Sequence, residues 1–477
     1  MCGIVGIYSF DKNRNIVPIL IKSLMDLQHR GQLSAGITTY DKNRKRLLQT
    51  YKDNGKVDEV FKINHKFKYK NIIEKYAGYV GIGHTRYATS GDDSDTLAQP
   101  FERPHGRLSK WFSLSYNGNL ANYDQLKSNL ENVGYNMTYD SDTEVIMHHL
   151  SRDLQENNPH EKINFRKIFN KLTNDFDGSY NICFVNAEGK FCAIRDPRGF
   201  KPLSYGIKDD LLIVASESVV LSNLKIDSFD FKPGELLIAD ENGYDIENYA
   251  EKNNYSHCFF EWIYFAHNAS NFDGNSVYSV REKLGETLAK EEQFTFQSDD
   301  WIVVPVPDTS YIAGSKYAST LNLPYIQGIT KNHQIGRTFI ENNDRSTKVR
   351  QKFTFIKDIL KNKRIILVDD SIVRGTTLKE LVKILKDWCD VKEVHLRIAC
   401  PPISSPCFYG IDFPTVNELY AGNKIPNYKD FCADSLFYLT YDGLISSLNK
   451  NKKDLCTACL NGIYPTQYGQ KRYNNKT

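Results

Sequence analysis

The sequence contains no apolar run that approaches the roughly 20 residues needed to cross a bilayer. No basic segment precedes the short apolar stretch at its start, so we do not expect a secretory signal peptide. An excess of one charge is also lacking, because the formal net charge is +3 with 25% charged residues. Nothing in the overall charge calls for nucleic acid or an anionic membrane as a partner. These absences predict a cytoplasmic protein that binds neither.

Cysteine is scarce, with 10 residues in a chain of 477, which is too few for a disulfide-stabilised scaffold. Reduced thiols or metal ligands are the better expectation. Internal repeats and low-complexity tracts are also absent from the sequence. A chain of this length predicts two or three domains, each able to bury its own core.

The most informative feature that is present is Cys2, which directly follows the initiator methionine. Cysteine is small enough for that methionine to be removed, which would leave a thiol and a free α-amino group on one residue. The α-amine has an unperturbed pKa of roughly 7.7–8, so it can act as the base that activates the thiol. A separate catalytic histidine then becomes unnecessary. Taken alone, a cysteine at this position more often simply begins an apolar strand.

Four short motifs follow Cys2 in order, at positions 27–32, 83–89, 116–120 and 141–144. Together with Cys2 they resemble the class II glutamine amidotransferases, which use an N-terminal nucleophile. The resemblance implies glutamine hydrolysis by a domain in which two sheets lie between two helical layers, an αββα sandwich. That chemistry needs a thiolate, an oxyanion hole and a clamp for the amino-acid end of the substrate.

The same resemblance implies roles for individual residues. The side chain of Asn117 and the backbone N–H of Gly118 form the oxyanion hole, where a glycine lets the backbone approach the reaction intermediate closely. Arg86 takes the α-carboxylate of glutamine with its planar pair of donors, and Asp142 takes the α-ammonium. Thr89 is also expected in the glutamine site. Singly, Arg86 or Asp142 would more often be part of a surface ion pair.

The second half of the chain carries a different pattern. A buried-strand signature at 364–368 is followed by two aspartates, a Gly/Thr loop and a helix with apolar residues on one face. A strand, a short loop and a helix in this order direct backbone N–H groups and a helix N-terminus at an anion. The paired acids Asp369 and Asp370 suit ribose hydroxyls or a divalent cation. An ordinary turn with solvated acids is the weaker alternative.

This motif resembles the phosphoribosylpyrophosphate (PRPP) loop of the type I phosphoribosyltransferases, which implies an α/β domain with a central parallel sheet. By that resemblance, Asp369 and Asp370 hold the ribose hydroxyls and a bound Mg²⁺, one ion per subunit. The residues expected to surround the 5-phosphate are Ser371, Arg374, Gly375, Thr376 and Thr377.

A second loop follows the predicted strand at 300–304 and resembles the pyrophosphate loop of the same family. The resemblance implies that Asp308, Thr309 and Ser310 bind PRPP, with Ser310 also close to the magnesium ion. Two separate loops would therefore hold the two ends of one anionic substrate.

A basic segment, 331–352, lies between the two loops. A run of charge is usually a solvated surface, but PRPP carries several negative charges. We therefore expect this segment to be a flexible lid that closes over PRPP and excludes water. Lys331 and Arg337 are the lid residues expected to bind PRPP.

The two halves in this order resemble the amidophosphoribosyltransferase family. Its reaction converts glutamine, PRPP and water to 5-phosphoribosylamine, glutamate and pyrophosphate, the first step of de novo purine synthesis. The resemblance implies a thioester at Cys2 and an internal channel that carries ammonia to PRPP. It also implies feedback inhibition by purine nucleotides and assembly as a homodimer or homotetramer. A non-catalytic, nucleotide-responsive regulatory protein that keeps both folds is the alternative.

Some members of this family carry a [4Fe–4S] cluster on four cysteines, whose sequence contexts match Cys258, Cys407, Cys456 and Cys459. Four thiolates, two of them in a C-x-x-C pair, suit a cubane cluster or a tetrahedral zinc site. The resemblance favours one cluster per subunit, which would tie the C-terminal segment to the start of the second domain. The five cysteines other than these and Cys2 are expected in packing roles.

A polar stretch near residues 240–255 separates the two halves. We therefore expect a glutaminase domain at 2–245, a phosphoribosyltransferase domain at 255–460 and a C-terminal tail at 461–477. The expected fold class is an α+β αββα sandwich followed by an α/β domain.

Overall fold

The computed structural model describes residues 1–87, 97–156, 163–251, 254–297, 299–332, 349, 351–413 and 415–475. Two expected binding residues, Thr89 and Arg337, lie outside these ranges, and so does most of the expected lid, residues 333–348. Of the helices that the described ranges contain, none combines the length and the apolar character needed to cross a membrane.

The first half is built on two stacked antiparallel sheets. Its strands are β1 (Gly3–Ser9), β2 (Ser34–Tyr40), β3 (Leu48–Asn54), β4 (Val80–Arg86), β5 (Phe101–Arg103), β6 (Phe112–Leu120), β7 (Gly178–Asn186), β8 (Phe191–Ile194), β9 (Ser204–Lys208), β10 (Leu211–Ala215), β11 (Phe229–Asp230), β12 (Glu235–Asp240) and β13 (Gly243–Asn248). One sheet has the order β11-β9-β10-β1-β4-β2-β3, and the other has the order β13-β12-β8-β7-β6-β5.

Helices cover the outer faces of both sheets. They are α1 (Val17–Asp26), α2 (Val57–Val60), α3 (Lys66–Lys75), α4 (Tyr123–Asn132), α5 (Asp142–Glu156), α6 (Phe165–Asp175) and α7 (Val219–Asn223). The apolar faces of α1, α2 and α7 pack on the seven-stranded sheet, and those of α4, α5 and α6 pack on the six-stranded sheet. Side chains such as Ile4, Phe191 and Val214 fill the space between the sheets. These four layers confirm the expected αββα sandwich.

The second half contains the strands β14 (His257–Cys258), β15 (Asn271–Phe272), β16 (Asn275–Ser276), β17 (Trp301–Pro305), β18 (Ile329–Lys331), β19 (Phe353–Phe355), β20 (Arg364–Asp369), β21 (Glu393–Ile398), β22 (Ser435–Tyr438) and β23 (Leu455–Cys456). Its helices are α8 (Val277–Lys290), α9 (Tyr311–Thr320), α10 (Lys357–Leu360), α11 (Thr376–Asp387), α12 (Tyr441–Leu448), α13 (Ala458–Asn461) and α14 (Gln467–Asn474).

A parallel sheet with the order β17-β20-β21-β22 forms the centre of the second half. The strands are short apolar runs, as in the buried residues 365–368, because both faces of a parallel sheet are covered. Apolar side chains of α8, α9 and α11 pack with these strands in one core. The central parallel sheet predicted from the sequence is confirmed.

The C-terminal segment touches both halves. Parallel pairing places Cys258 of β14 directly beside Cys456 of β23. Farther along, the backbone N–H of Tyr468 in α14 donates to Asp177 of the first half at 2.9 Å. The six-stranded sheet continues through β13 to Asn248, a few residues past the expected end of the first domain.

The packing role expected for five cysteines is confirmed for four of them: Cys183, Cys192, Cys389 and Cys400 are buried. For Cys432 the expectation is wrong, because its side chain is exposed. Cys432 ends a short helical turn in the left-handed conformation, with a φ of +58°, at the surface.

Candidate active sites

Cys2 precedes β1 of the seven-stranded sheet and contacts β6 of the six-stranded sheet. Its backbone N–H donates to Asn117 Oδ1 at 3.2 Å, and its Sγ lies 3.9 Å from the carbonyl oxygen of Tyr87. Arg30 Nε donates to the carbonyl oxygen of Cys2 at 3.0 Å. Because these hydrogen bonds hold the backbone, the partly exposed thiol stays available for attack.

Asn117 presents an amide donor beside this thiol. Its side chain is only 1% exposed, and its Nδ2 makes no hydrogen bond with the described part of the chain. Its Oδ1 is already occupied by the Cys2 N–H, so the amide is oriented with its NH₂ group free. A buried donor without a partner is costly, so a ligand oxygen would be stabilised at this position.

Gly118 follows Asn117 in β6, and the structure gives a further reason for the glycine beyond the one expected. A Cβ at this position would lie 1.9 Å from the carbonyl oxygen of Ser179 in β7. The neighbouring strand therefore excludes every side chain here. Packing between β6 and β7 is therefore one close contact that requires glycine at this position.

Arg86 and Asp142 flank the same position. Arg86 ends β4 with 6% exposure, and Asp142 begins α5. The Tyr116 hydroxyl donates to Asp142 Oδ2 at 3.0 Å. Burial raises the pKa of Asp142 to about 6, while the hydrogen bond from Tyr116 opposes that rise and the nearby Cys2 thiolate adds to it. A substrate ammonium would favour the charged carboxylate at this position.

Sequence reasoning missed a buried charge network behind Cys2. Arg30, which is fully buried, donates to Glu217 at 2.5 Å and to Glu261 at 3.0 Å. Glu217 also lies 2.8 Å from His29 Nε2, and the adjacent cations hold its pKa well below the usual range. Arg30 lies in the motif at 27–32, but its acidic partners are far apart in sequence. No local pattern could have identified them.

The two phosphoribosyl loops meet at the carboxyl edge of the parallel sheet. Ser310, after β17, donates to Asp369 Oδ1 at 3.1 Å, and Thr309 donates to Asp370. Ser371 donates to Asp370 Oδ1 at 2.6 Å. The structure therefore brings together the acids and hydroxyls that the sequence places 60 residues apart, as expected for neighbouring parallel strands.

The loop after β20 ends at a helix N-terminus. Gly375 has a φ of +76° and directly precedes α11, whose first residues are Thr376 and Thr377. This left-handed turn favours glycine, and it leaves the first backbone N–H groups of α11 facing the loop. Arg374 binds Glu418 across the loop. The arrangement suits a phosphate group.

The carboxylates of Asp369 and Asp370 fit a cation. Burial and the neighbouring Asp370 raise the pKa of Asp369 well above its usual range. Two adjacent carboxylates with nearby hydroxyl oxygens are a donor set that Mg²⁺ prefers. Nearby, Lys331 Nζ lies 2.5 Å from Asp308 Oδ2. Among the described residues, no three His, Cys, Asp or Glu side chains already converge as ligands of a single ion.

One cavity of about 450 Å³ lies over the phosphoribosyl loops and extends to the first half of the chain. Its wall includes His29 and Tyr87 from the first half, and Asp369 and the loop 370–377 from the second. The buried Arg281 also lines it, and so do further aromatic side chains, which are Phe260, Tyr264, Phe265, Phe353 and Phe413. Tyr87 was not singled out from the sequence, yet its carbonyl oxygen faces the Cys2 thiol.

The four cysteines with matching contexts line one small cavity at the junction of the halves: they are Cys258, Cys407, Cys456 and Cys459. Burial and the mutual proximity of the thiols raise the pKa of Cys258 to about 11 and the pKa values of Cys456 and Cys459 further. The neutral form of these three thiols is therefore favoured when no metal ion is bound.

Lys201 supplies a test of whether this cavity fits an anionic cluster. It is fully buried, and its ammonium makes no hydrogen bond within the described ranges. Its ammonium lies 4.0 Å from Glu261, and its charge partly opposes the rise in the pKa values of Cys258 and Cys456. A buried positive charge beside four thiols is suited to a metal cluster held by thiolates.

Comparisons with known proteins agree with the division of the chain into two halves. A glutamine amidotransferase domain family matches residues 84–223, and a phosphoribosyl transferase domain family matches residues 277–405. The chain is similar to the amidophosphoribosyltransferase of Methanothermobacter thermautotrophicus, with 38% identity over 98% of this chain and 94% of the relative. The amidophosphoribosyltransferase of Bacillus subtilis is 36% identical over 98% of this chain and 95% of the relative.

A solved structure has the same architecture over nearly the whole chain. It is the glutamine PRPP amidotransferase from B. subtilis complexed with ADP and GMP, with a TM-score of 0.85 and 34% identity. The alignment covers 98% of this chain and 98% of that one.

Proposed function

The chain belongs to the amidophosphoribosyltransferase family, and we propose that the residues described above carry out the reaction of that family in two coupled sites. It is an enzyme of the glutamine amidotransferase and phosphoribosyltransferase type, acting at the first step of purine biosynthesis. Nitrogen from the glutamine amide is transferred to PRPP, and the products are 5-phosphoribosylamine, glutamate and pyrophosphate.

The observation that carries this proposal is the shared cavity. Ammonia released into water would be protonated, and ammonium is not a nucleophile. A cavity of about 450 Å³ whose wall includes Tyr87 of the first half and Asp370 of the second supports a short route between the two sites. Because the Tyr87 carbonyl oxygen lies 3.9 Å from Cys2 Sγ, one end of that route lies beside the nucleophile.

In the first site, removal of Met1 exposes the α-amine of Cys2, which takes the proton of the thiol. The sulfur then adds to the amide carbon of glutamine, and Asn117 Nδ2 and the Gly118 N–H stabilise the resulting oxyanion. The C–N bond breaks, ammonia receives the proton, and a thioester remains. Water hydrolyses the thioester to glutamate and restores the thiol. Arg86 and Asp142, with Thr89, hold the two charged ends of glutamine.

In the second site, the ammonia nitrogen attacks C1 of the ribose while the C1–O bond to pyrophosphate breaks. The loop from Ser371 to Thr377 binds the 5-phosphate, and Asp369 and Asp370 bind the ribose hydroxyls. Asp308, Thr309 and Ser310 hold the pyrophosphate end, together with Lys331 and Arg337. The protein contributes mainly position and charge here, because the leaving group is already good.

Two bound groups are part of the proposal. One Mg²⁺ per subunit, held near Ser310, Asp369 and Asp370, would neutralise charge on the leaving pyrophosphate. One [4Fe–4S] cluster per subunit would be held by the four cysteines of the junction cavity, with Lys201 compensating its charge. The cluster would have a structural role, because it would tie the C-terminal segment to the start of the second domain.

The remaining expectations stay proposals. We propose purine nucleotides as inhibitors, and a relative in this family has been solved with ADP and GMP. A homodimer or homotetramer, a cytoplasmic location and domains at 2–245, 255–460 and 461–477 are predictions of the sequence. Since β13 ends at Asn248, the end of the first domain is better placed after that residue.

The test measures glutamate release from glutamine by anaerobically purified protein, with and without PRPP and Mg²⁺. Stimulation of about tenfold or more by PRPP is expected, because loading of the second site should activate the first. Phosphoribosylamine should form in step with glutamate. Release that is indifferent to PRPP would contradict coupling, and absence of any release would favour the regulatory alternative.

A further inference from the structure

The strand that carries the oxyanion groups is held by the loop that carries Cys407. The side chain of Asn119, two residues after Asn117, donates to the carbonyl oxygen of Phe408 at 2.9 Å. Ser179 Oγ, on β7, donates to the carbonyl oxygen of Tyr409 at 2.9 Å. We call residues 407–410 the docking segment.

The two donors also bind each other. The Asn119 backbone N–H donates to Ser179 Oγ at 3.2 Å, and the two residues are directly paired across β6 and β7. The hydroxyl of Ser179 thus connects the backbone of β6 to the docking segment. A shift of the segment would pull on the residue that follows Gly118.

The docking segment also packs closely against Gly118 itself. A Cβ at Gly410 would lie 3.2 Å from the Gly118 carbonyl oxygen, and Gly410 has a φ of +98°, which favours glycine. The Tyr409 ring stacks on Phe200 with centroids 4.3 Å apart. The docking segment is therefore packed firmly on the first half at the point where the oxyanion is stabilised.

We propose that Asn119 and Ser179 are positioning residues for glutamine hydrolysis, which fix the Gly118 N–H by binding the docking segment. Cys407 lies in this segment, so order at the four-cysteine site is transmitted to the oxyanion hole by two hydrogen bonds. The inference rests on the proposed role of Gly118 in glutamine hydrolysis. Neither residue touches the substrate.

The primary test is Asn119→Ala, measured for glutamine hydrolysis and for ammonia-dependent synthesis in the same preparation. Removal of a whole oxyanion donor lowers kcat by roughly 10²–10³. A less well positioned Gly118 N–H should therefore lower kcat about tenfold. KM for glutamine should change little, since Arg86 and Asp142 are untouched. Ammonia-dependent synthesis should stay within about twofold, because it needs only the second site. Ser179→Ala should give the same pattern.

Asn122→Ala is the matched control. Its side-chain amide also donates to a backbone carbonyl, that of Asp175 at 2.7 Å, but this bond stays within the first half. The control should retain wild-type kcat for glutamine. Covalent labelling of Cys2 by a chloroketone analogue of glutamine should remain one per chain in every variant. Reduced labelling in Asn119→Ala would mean partial unfolding and would contradict the inference.

The link to the cysteines is tested with Cys407→Ser alone and combined with Asn119→Ala. Absorbance near 400 nm and iron content report the cluster independently of activity. If the two changes act through one segment, the double variant should be no slower in glutamine hydrolysis than the slower single one. Multiplied losses would overturn the inference, as would an unchanged kcat in Asn119→Ala. Wild-type protein that shows no hydrolysis would instead refute the proposed function.

Discussion

The two reactive regions of the molecule are held in different ways. In the first half, Asn117 and Arg86 lie on strands and are paired with Asn181 and Ser34 across their sheets. In the second half, Asp369 ends a strand, but the other binding groups lie on the loops beyond the edge of the parallel sheet or in the first turn of the helix that follows. Thr376 there is exposed, whereas Asn117 is only 1% exposed.

This difference follows from what each site must hold. Glutamine hydrolysis depends on donors aimed at one oxygen, and strands fix such donors before a substrate arrives. PRPP is large and highly charged, so loops must admit it and then gather around it. The raised pKa of Asp369 has the same origin. Burial and the neighbouring carboxylate disfavour its ionised form, which becomes favourable only when a cation is bound.

The largest expected effect separates the two regions completely. Cys2→Ala should abolish glutamine-dependent synthesis, by at least about a thousandfold, because it removes the sulfur that forms the thioester. Ammonia-dependent synthesis should remain near the wild-type rate. Both activities are measured as phosphoribosylamine formation from the same preparation. Loss of both would show that the regions cannot be separated.

The next largest effect concerns the PRPP site in the second half of the chain. Asp370→Asn removes one of two adjacent carboxylates that face the cavity, and we expect roughly a hundredfold loss of kcat with either nitrogen source. Asp358→Asn, at an exposed position on α10, is the control and should leave kcat unchanged with either nitrogen source. Loss of the glutamine-dependent activity alone would mean that Asp370 acts in glutamine hydrolysis, which would contradict its assignment to the PRPP site.

A third effect concerns the junction. Glu261, in the second half, binds Arg30 of the first at 3.0 Å, with both side chains buried. Glu261→Gln should destabilise the protein by about 3 kcal/mol, because Arg30 loses half of its buried counter-charge. Glu241→Gln breaks the exposed pair with Lys12 and should leave the urea midpoint unchanged, because water screens that pair. Urea midpoints compare the two variants, and equal midpoints would contradict the argument.

The smallest effect is a shift in pH dependence. Asp142 must be ionised to bind the ammonium of glutamine, and its pKa of about 6 means that kcat/KM should fall more steeply as the pH drops through that value, in addition to the fall at higher pH from protonation of the Cys2 α-amine. Tyr116→Phe removes the hydrogen bond that holds this pKa down, so the acid limb should move to higher pH by about half a unit. The profile for ammonia-dependent synthesis, expressed per neutral ammonia, should not move. An unshifted acid limb would mean that another group controls it.

Local sequence pattern was sufficient for much of the fold and for the reacting groups. The apolar runs at 300–304 and 364–368 predicted β17 and β20, and the apolar face after the Gly/Thr loop predicted α11, because each pattern depends on neighbours within a few residues. Cys2, Asn117 and Asp370 were found from short motifs whose order along the chain is informative. The packing of Gly118 against β7 and the exposure of Cys432 were not predicted, since both depend on distant neighbours.

By itself the sequence determined the two kinds of chemistry, because each needs particular residue types at short spacing. Only the tertiary structure decided how the two are joined. The acidic partners of Arg30 come from residues about 190 and 230 positions away, and the docking segment reaches Asn119 across about 290. Buried ion pairs and long-range hydrogen bonds leave no periodic trace in a sequence, because they are made by the packing of one half on the other.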